Sequence, residues 1–279
     1  RCASYTVNEA FEALGYPQII VDNLNAYWCY LGADGNNLSF LHYANMIYSY
    51  ISGGAAIPTL KSHELSLAFE TRIHELGGDI WFNTEVTKIL TDENGHVCGV
   101  RLADCSEVET RHVVANCSPH VVYGRLLDEK AVPERALKLT NSRKLAGRGF
   151  TAFYAFNKSP EELGLTDHNY FVYDSSDNVE MYKSMETMHE NYGQATCVLN
   201  NADPNCSPKG TTIMYSTTLF TKDVWKDVKE EEYYKFKNVI AKRMLERFEK
   251  AVGVSLQEHI EEIAVATPQT YARYCGHPQ

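Results

Sequence analysis

Two copies of a His-Glu-Leu triplet, at 63–65 and 74–76, are the first residues here whose types could do chemistry. An imidazole beside a carboxylate suits metal binding or proton transfer. A zinc site needs three or four convergent ligands, however, and no ligand triad accompanies either copy, so both read as structural or surface histidines. Asp22, Asp34 and the run Glu230-Glu231-Glu232 could supply carboxylates. An acidic run ahead of a helix ordinarily complements the helix dipole, and no acid or base role is assigned to them. Phosphate chemistry would need a glycine-lined turn at a helix N-terminus, and the sequence has neither GxGxxG nor GxxxxGK. Gly53-Gly54, Gly77-Gly78 and Gly147-Arg148-Gly149 do not replace it, and HExxH, GxSxG and EF-hand patterns are missing too.

The surrounding composition narrows the field. A net charge of −10 repels phosphate backbones, and no Lys/Arg cluster alternates with stacking aromatics, which argues against nucleic acid as a partner. No apolar run approaches the ~18–20 residues of a membrane span. Eight cysteines, at 2, 29, 98, 105, 117, 197, 206 and 275, never form CxxC and read as free thiols of a reducing cytoplasm, although their even number also admits disulfides. With 279 residues, two packed units or one large unit with an insertion are expected.

The elements that would position a site follow from hydrophobic period. Val7 to Leu14 has helical spacing and stops at Gly15 and Pro17, and a second helix over 40–51 aligns Phe40, Tyr43, Ile47 and Tyr50. Those four side chains suit core packing or the wall of an apolar ligand cavity. A third helix, about 62–76 with Ser62 as N-cap, aligns Leu65, Phe69, Ile73 and Leu76 as a buried stripe and ends at Gly77-Gly78. The period then changes to 2. Strands are predicted at 80–83, 86–91, 97–102 and 107–115, with Asp92-Glu93-Asn94-Gly95 as a hairpin turn and Val113-Val114-Ala115 as a strand buried on both faces. Farther on come a charged helix near 133–145, a strand over 150–156, a mobile loop or irregular helix over 174–193, and strands over 195–200 and 211–220. The helix over 230–252 carries the stripe Phe236, Val239, Ile240, Met244 and Phe248 and is closed by Gly253, and a last strand over 260–266 stops at Pro268.

Several segments in order resemble one family. The block 48–90 (YSYISGGAAIPTLKSHELSLAFETRIHELGGDIWFNTEVTKIL) followed by 95–119 (GHVCGVRLADCSEVETRHVVANCSP) is similar to the central block of FAD-dependent oxidoreductases of the phytoene desaturase, carotenoid isomerase and retinol saturase kind. Asp203-Pro204 with Ser207-Pro208-Lys209-Gly210 resembles the family's Asp-Pro…Pro-x-Gly turn, and 266–274 (ATPQTYARY) its Pro-x-Thr-x-x-Arg-Tyr segment. One departure lies in the approach loop, where Pro58 is followed by Thr59-Leu60-Lys61 rather than glycine.

The resemblance implies an α/β to α+β fold: a partial FAD-binding domain of helix, β-meander and buried strand over 54–118, and a mixed-sheet substrate or cap domain over 1–53 and 119–265. Residues 266–279 would return toward the FAD domain. It also implies cofactor-binding positions. Val86, with Glu85 beside it, would offer main-chain N–H and C=O to the adenine of FAD, and Asn116 would lie near the same cofactor. Val86 also has an ordinary reading as a β-branched strand residue. The start at Arg1 and the missing fingerprint make the chain an expected internal portion, inactive alone and not binding FAD by itself. Its parent would move hydride between an apolar C–C or C=C substrate and flavin, with peripheral membrane contact left open. The alternatives are a flavin amine oxidase and a non-catalytic module for an apolar ligand.

Overall fold

The computed structural model describes residues 4–59, 61–143, 147–188, 191, 193–221 and 223–276. Two compact units divide the chain, one of residues 1–65 and 146–268, the other of residues 66–145 and 269–279.

In the first unit, α1 (Val7–Ala13) begins with a capping box: Thr6 Oγ1 accepts from Glu9 N–H, and the Glu9 carboxylate accepts from Thr6 N–H at 2.8 Å. Then come α2 (Gln18–Leu24), a 3-10 helix (Asn25–Leu31) and α3 (Phe40–Gly53). Val7, Phe11, Val21, Leu38 and Tyr43 bury together as the small core of these helices. The helix α4 (Ser62–Glu75) follows, with Ser62 as its first residue rather than its cap; from Ser66 onward it belongs to the second unit.

The second unit contains β1 (Val86–Thr91), β2 (Val97–Leu102) and β3 (Glu107–Glu109), an antiparallel meander in the order β1-β2-β3. The predicted hairpin is there: Asp92 accepts from the N–H groups of Asn94 and His96 at 2.9 and 2.8 Å, and Gly95 takes φ +80°. Two short helices, α5 (Pro119–Val121) and α6 (Glu134–Asn141), lie beyond it. Residues 119–143 side with the meander, through the ion pairs Lys88–Asp128 and Arg125–Glu85.

Three expectations fail here for one physical reason, that an apolar run is buried only if another element accepts it. The α4 stripe is exposed, with Phe69 at 64% and Leu76 at 70%. Residues 80–83 form no strand, and neither do residues 113–115, where Val114 is 97% exposed.

The main core belongs to the first unit. Its sheet consists of β4 (Arg148–Phe156), β5 (Asn169–Tyr173), β6 (Gly193–Val198), β7 (Thr212–Phe220) and β8 (Ile260–Ala266), in the order β5-β6-β7-β4-β8. Every pairing is antiparallel, which corrects the expected mixed sheet. The cause is the route of the chain. The long helix α9 (Glu230–Val252) joins β7 to β8, but β4 lies between those two strands, so they never become parallel neighbours.

Two smaller helices complete this unit. The segment 174–193, expected as a mobile loop or irregular helix, contains α7 (Asn178–Ser184), capped by Asp177, whose carboxylate accepts from Val179 and Glu180 N–H at 2.8 and 3.2 Å. After β6 comes α8 (Leu199–Ala202). The last helix of the chain is α10 (Pro268–Cys275).

One face of the sheet packs on α9. Phe150, Tyr154 and Phe156 of β4 and Met214 and Phe220 of β7 meet Ile240, Met244, Leu245 and Phe248 of the helix. Val239, predicted in the stripe, is 39% exposed, because the buried face is turned toward Ala241 and Leu245. The predicted stop is there, with Gly253 at φ +79°.

Candidate functional site

Since strand side chains alternate, the face of the sheet away from α9 carries the other residues of each strand. Register brings them into cross-strand rows. Asn169 pairs with Cys197, Cys197 with Tyr215, and Tyr215 with Phe153. The next row runs Phe171, Ala195, Thr217, Thr151 and Ala266. The second row is small at its centre and aromatic at its β5 end. A cavity of about 290 Å³ sits over this part of the sheet, with Phe171, Ala195, Cys197, Tyr215, Thr217 and Leu219 among its walls.

The 3-10 helix closes one side of the cavity through Cys29 and Tyr30. Three residues per turn eclipse positions i and i+3, so Tyr27 and Tyr30 stack, with centroids 6.1 Å apart and planes 13° from parallel. Both meet Phe171 edge-on, at 5.5 and 5.7 Å, and Tyr50 of α3 joins them at 5.9 and 6.0 Å. Edge-to-face rings of this kind hold one another in place. Trp28 is buried with Met181 and Met185, a cluster against which the cavity residues Cys29, Tyr173 and Leu219 also pack.

The electrostatics of this cavity are those of neutral groups. Tyr173 donates its phenolic proton to the Ala26 carbonyl at 2.8 Å. That proton being committed, the Cys29 thiol is the donor in its 3.4 Å contact with the Tyr173 oxygen. Burial pushes both groups up, and it does the same to Tyr30 and to the Cys197 thiol. Thr151 and Thr217 share a hydroxyl contact of 2.9 Å. None of the lining residues is a carboxylate, a histidine, a lysine or an arginine. Such a cavity can hold and orient an apolar molecule and keep water from it, but it supplies no proton donor or acceptor matched to neutral pH.

The residues predicted from sequence lie in the second unit. Val86 opens β1, pairs with Leu102, and lines an open depression of about 380 Å³ with Trp81, Val100, Leu102 and Val108. Glu85 precedes it, exposed, with its carboxylate 3.1 Å from Arg125 and its carbonyl accepting from Ala103 N–H at 2.9 Å. Asn116 is exposed, outside any strand, and does not line the depression. Glu85 and Val86 are thus brought together, and Asn116 is not brought to them.

The aromatics predicted as a possible cavity wall fare differently. Tyr43 is buried in the small helical core, with Phe40 and Ile47 packed against it. Only Tyr50 reaches the aromatic group beside the cavity, and none of the four lines it. Phe171, Ala195 and Cys197 were missed altogether. Alternation was readable in the strands, but which strands lie side by side was not.

The profile of the family described as flavin containing amine oxidoreductase matches residues 19–258. Prolycopene isomerase from Daucus carota is 27% identical over 202 residues, 71% of this chain and 31% of that protein. The 4,4'-diaponeurosporene oxygenase of Staphylococcus haemolyticus is 27% identical over 232 residues, 81% of this chain and 42% of that protein. The chain therefore spans less than half the length of these curated relatives. Among solved structures, an oxidoreductase from Methanosarcina mazei superposes with a TM-score of 0.63 at 16% identity, over 96% of this chain and 57% of that one. Cyclohexylamine oxidase from Brevibacterium oxydans does so with a TM-score of 0.52 at 14% identity, over 98% and 55%. These two likenesses concern the fold.

Proposed function

The chain belongs to the flavin-containing amine oxidoreductase family, its cofactor is FAD, and on that footing we propose that it is the substrate-facing part of an oxidoreductase acting on an extended apolar molecule. The reaction would transfer a hydride between a C–C or C=C unit and the flavin, which supplies the redox chemistry when bound. The observation that carries this reading is the neutral, aromatic-walled cavity on the open face of the sheet. The carotenoid-related names of the relatives support it.

For the chain's own residues the roles are positioning ones. Phe171, Tyr30 and Tyr215 would wall the apolar body of the substrate, Ala195 and Thr217 would floor it, and the helical cover would exclude water. The depression beside Val86 fits the adenine end of FAD. Its valines and Trp81 make an apolar bed for a flat ring, and a strand-end backbone can meet an amino-pyrimidine edge. Glu85 stays in the proposal as a polar neighbour of that ring, and Asn116, which does not line the depression, only as a residue nearer another part of the same cofactor. The diphosphate does not fit here, because the sequence has no glycine fingerprint to cradle it. We therefore expect this chain alone to show no turnover and no tight flavin binding. The unit of residues 66–145 and 269–279 would be the adenine-side part of the FAD domain, and the unit of residues 1–65 and 146–268 the substrate domain.

Among the described residues no helix is long and apolar enough to cross a membrane. Peripheral contact is a separate proposal. It is supported by α3, where Leu41, Tyr48 and Ile51 are exposed within a stretch, 35–60, that has no Asp, Glu, Lys or Arg. The seven described cysteines are free thiols, and a reducing cytoplasm stays a proposal that rests on the sequence reading alone.

The test is spectroscopic. The full-length protein should show flavin absorbance that bleaches anaerobically with a polyene donor, or, reduced beforehand, reoxidises with a polyene acceptor. A protein with no flavin absorbance after FAD is added would be a binding module. Peroxide release on a panel of amines, with no response to polyenes, would assign it to amine oxidation.

A further inference from the structure

A second cavity, of about 310 Å³, lies in the first unit between α2 with the 3-10 helix on one side and the chain running from the end of β5 into α7 on the other. Tyr173 is a wall of both cavities, but their chemistry differs. Ile19, Ala26, Trp28 and Met181 supply apolar surface here, Asp22 and Asp174 supply carboxylates, and no lysine, arginine or histidine is among the walls. Arg247 reaches Asp174 from outside, at 3.2 Å. Asp22 accepts from neutral groups, Gln18 Nε2 at 2.7 Å and Ser176 Oγ at 3.4 Å, and pairs with no cation among the described residues. Its carboxylate therefore keeps both its charge and room for further donors.

Asn25, another wall and 1% exposed, adds an acceptor of a different kind. Its Nδ2 donates to Asn8 Oδ1 at 3.2 Å, and Asn8 Nδ2 donates onward to Asn36 Oδ1 at 2.8 Å, which settles which amide atom is nitrogen. Asn8 is not a wall, so the Asn25 oxygen is left on the cavity side, and it has no hydrogen-bond partner. An orphaned buried acceptor is costly, and a donor placed in the cavity would relieve it. The donors of the walls are largely spent within the protein: Tyr173 on the Ala26 carbonyl, Ser175 on Glu180, Ser176 on Asp22 and Asn23 on the Ile19 carbonyl. Asn178 Nδ2 and the Trp28 indole N–H have no protein acceptor among the described residues, and they suit a neutral oxygen of a ligand or water.

We infer that this cavity binds a small organic cation that carries N–H donors, a guanidinium or primary ammonium on a short apolar chain. Asp22 is its counter-charge, the Asn25 carbonyl accepts a second hydrogen bond, and Ile19, Ala26 and Met181 cover the apolar part. A metal ion is the poorer fit, because no cluster of three or more His, Cys, Asp or Glu occurs among the described residues. This binding is independent of the apolar-substrate reading above.

The experiment titrates the purified, nitrogen-15-labelled chain with n-butylguanidinium and follows the Trp28 indole signal and the amides of residues 22–26 and 174–178. These signals should shift together and saturate. Butylurea, which has nearly the same shape without the charge, should bind roughly fivefold or more weakly, and so should butyltrimethylammonium, which has the charge without N–H donors. Asp22→Asn should weaken butylguanidinium roughly fivefold to tenfold. Asp22→Lys, which sets a cation of the protein's own at the site, should abolish the shifts. Thermal melting checks that each variant is folded, and either one suffices. Absence of saturable shifts at these residues overturns the site, as does an equal response to butylurea or an unchanged affinity in a folded Asp22 variant. Butyltrimethylammonium binding as tightly as butylguanidinium overturns the part given to the Asn25 carbonyl. None of these outcomes depends on whether the chain binds a polyene, so failure here is distinguishable from failure of the apolar-substrate reading.

Discussion

Tyr43 shows how much a single hydroxyl can couple to the stability of the first unit. It is 3% exposed, donates to the Leu24 carbonyl, and is pushed up to about 12, first by burial and then by nearby Tyr27. In the unfolded chain a tyrosine titrates near 10. An acid whose folded value is raised contributes stability that is whole below pH 10 and is lost as the pH rises toward 12. Melting temperature followed across that window should therefore fall, and Tyr43→Phe should flatten the fall. Tyr30, Tyr154 and Tyr173 are raised in the same direction, all chiefly by burial, so phenolate absorbance should lag behind that of the unfolded chain. At this scale the candidate site was legible only in part. That Val86 lies in a strand was legible from the β-branched run after the Gly-Gly helix stop, whereas its part in holding adenine comes from the family resemblance alone. Phe171, Ala195 and Cys197 could not be found, because none carries a mark of its own, and their meeting depends on a register set by turns and core packing.

The elements themselves were more readable where local period and tertiary burial agree. α9 was legible from its stripe and from Gly253, and the buried side of that stripe holds the core. Phe248, fully buried against the sheet and edge-on to Tyr170 at 5.2 Å, should cost about 3–5 kcal/mol when changed to Ala, measured by denaturant unfolding. The meander offers a sharper test of element pairing. A Cβ on Gly99 would lie 2.8 Å from the Val108 carbonyl oxygen, a backbone atom that cannot swing away. Gly99→Val should therefore unpair β3 from β2, with fast hydrogen exchange at Glu107–Glu109 and a cost of roughly 1–3 kcal/mol. The mixed sheet was misjudged because helix–strand alternation suggests parallel neighbours. Here β4 separates β7 from β8, and strand order is a property of the whole chain rather than of any window of it.

At the scale of the molecule, apolar burial is unevenly shared between the two units. The first has a continuous core from Phe150 on β4 through Met214 on β7 to Phe248 on α9. In the second, Ile89, Leu102 and Leu126 are the large apolar side chains buried among the described residues, while Phe69, Leu76, Trp81, Phe82 and Val114 are more than 60% exposed. Stability follows the apolar area removed from water, and backbone amides exchange through the cheapest opening that exposes them. Hydrogen exchange of the whole chain should therefore divide along the sequence, with slow amides in β4, β6 and β7 and early exchange in β1, β2 and β3. A dye that fluoresces on exposed apolar surface should bind at the same time, and Phe69→Glu should reduce its signal without altering protection in β4 or β7. Ligands that favour the folded form should slow exchange only in the unit that binds them. A polyene fatty acid would then protect β5, β6 and the 3-10 helix, the walls of the cavity, and leave β1–β3 as they were. Equal protection of both sheets before any ligand is added would mean that the exposed residues of the second unit find a partner in solution, and that its thin core is not what limits its stability.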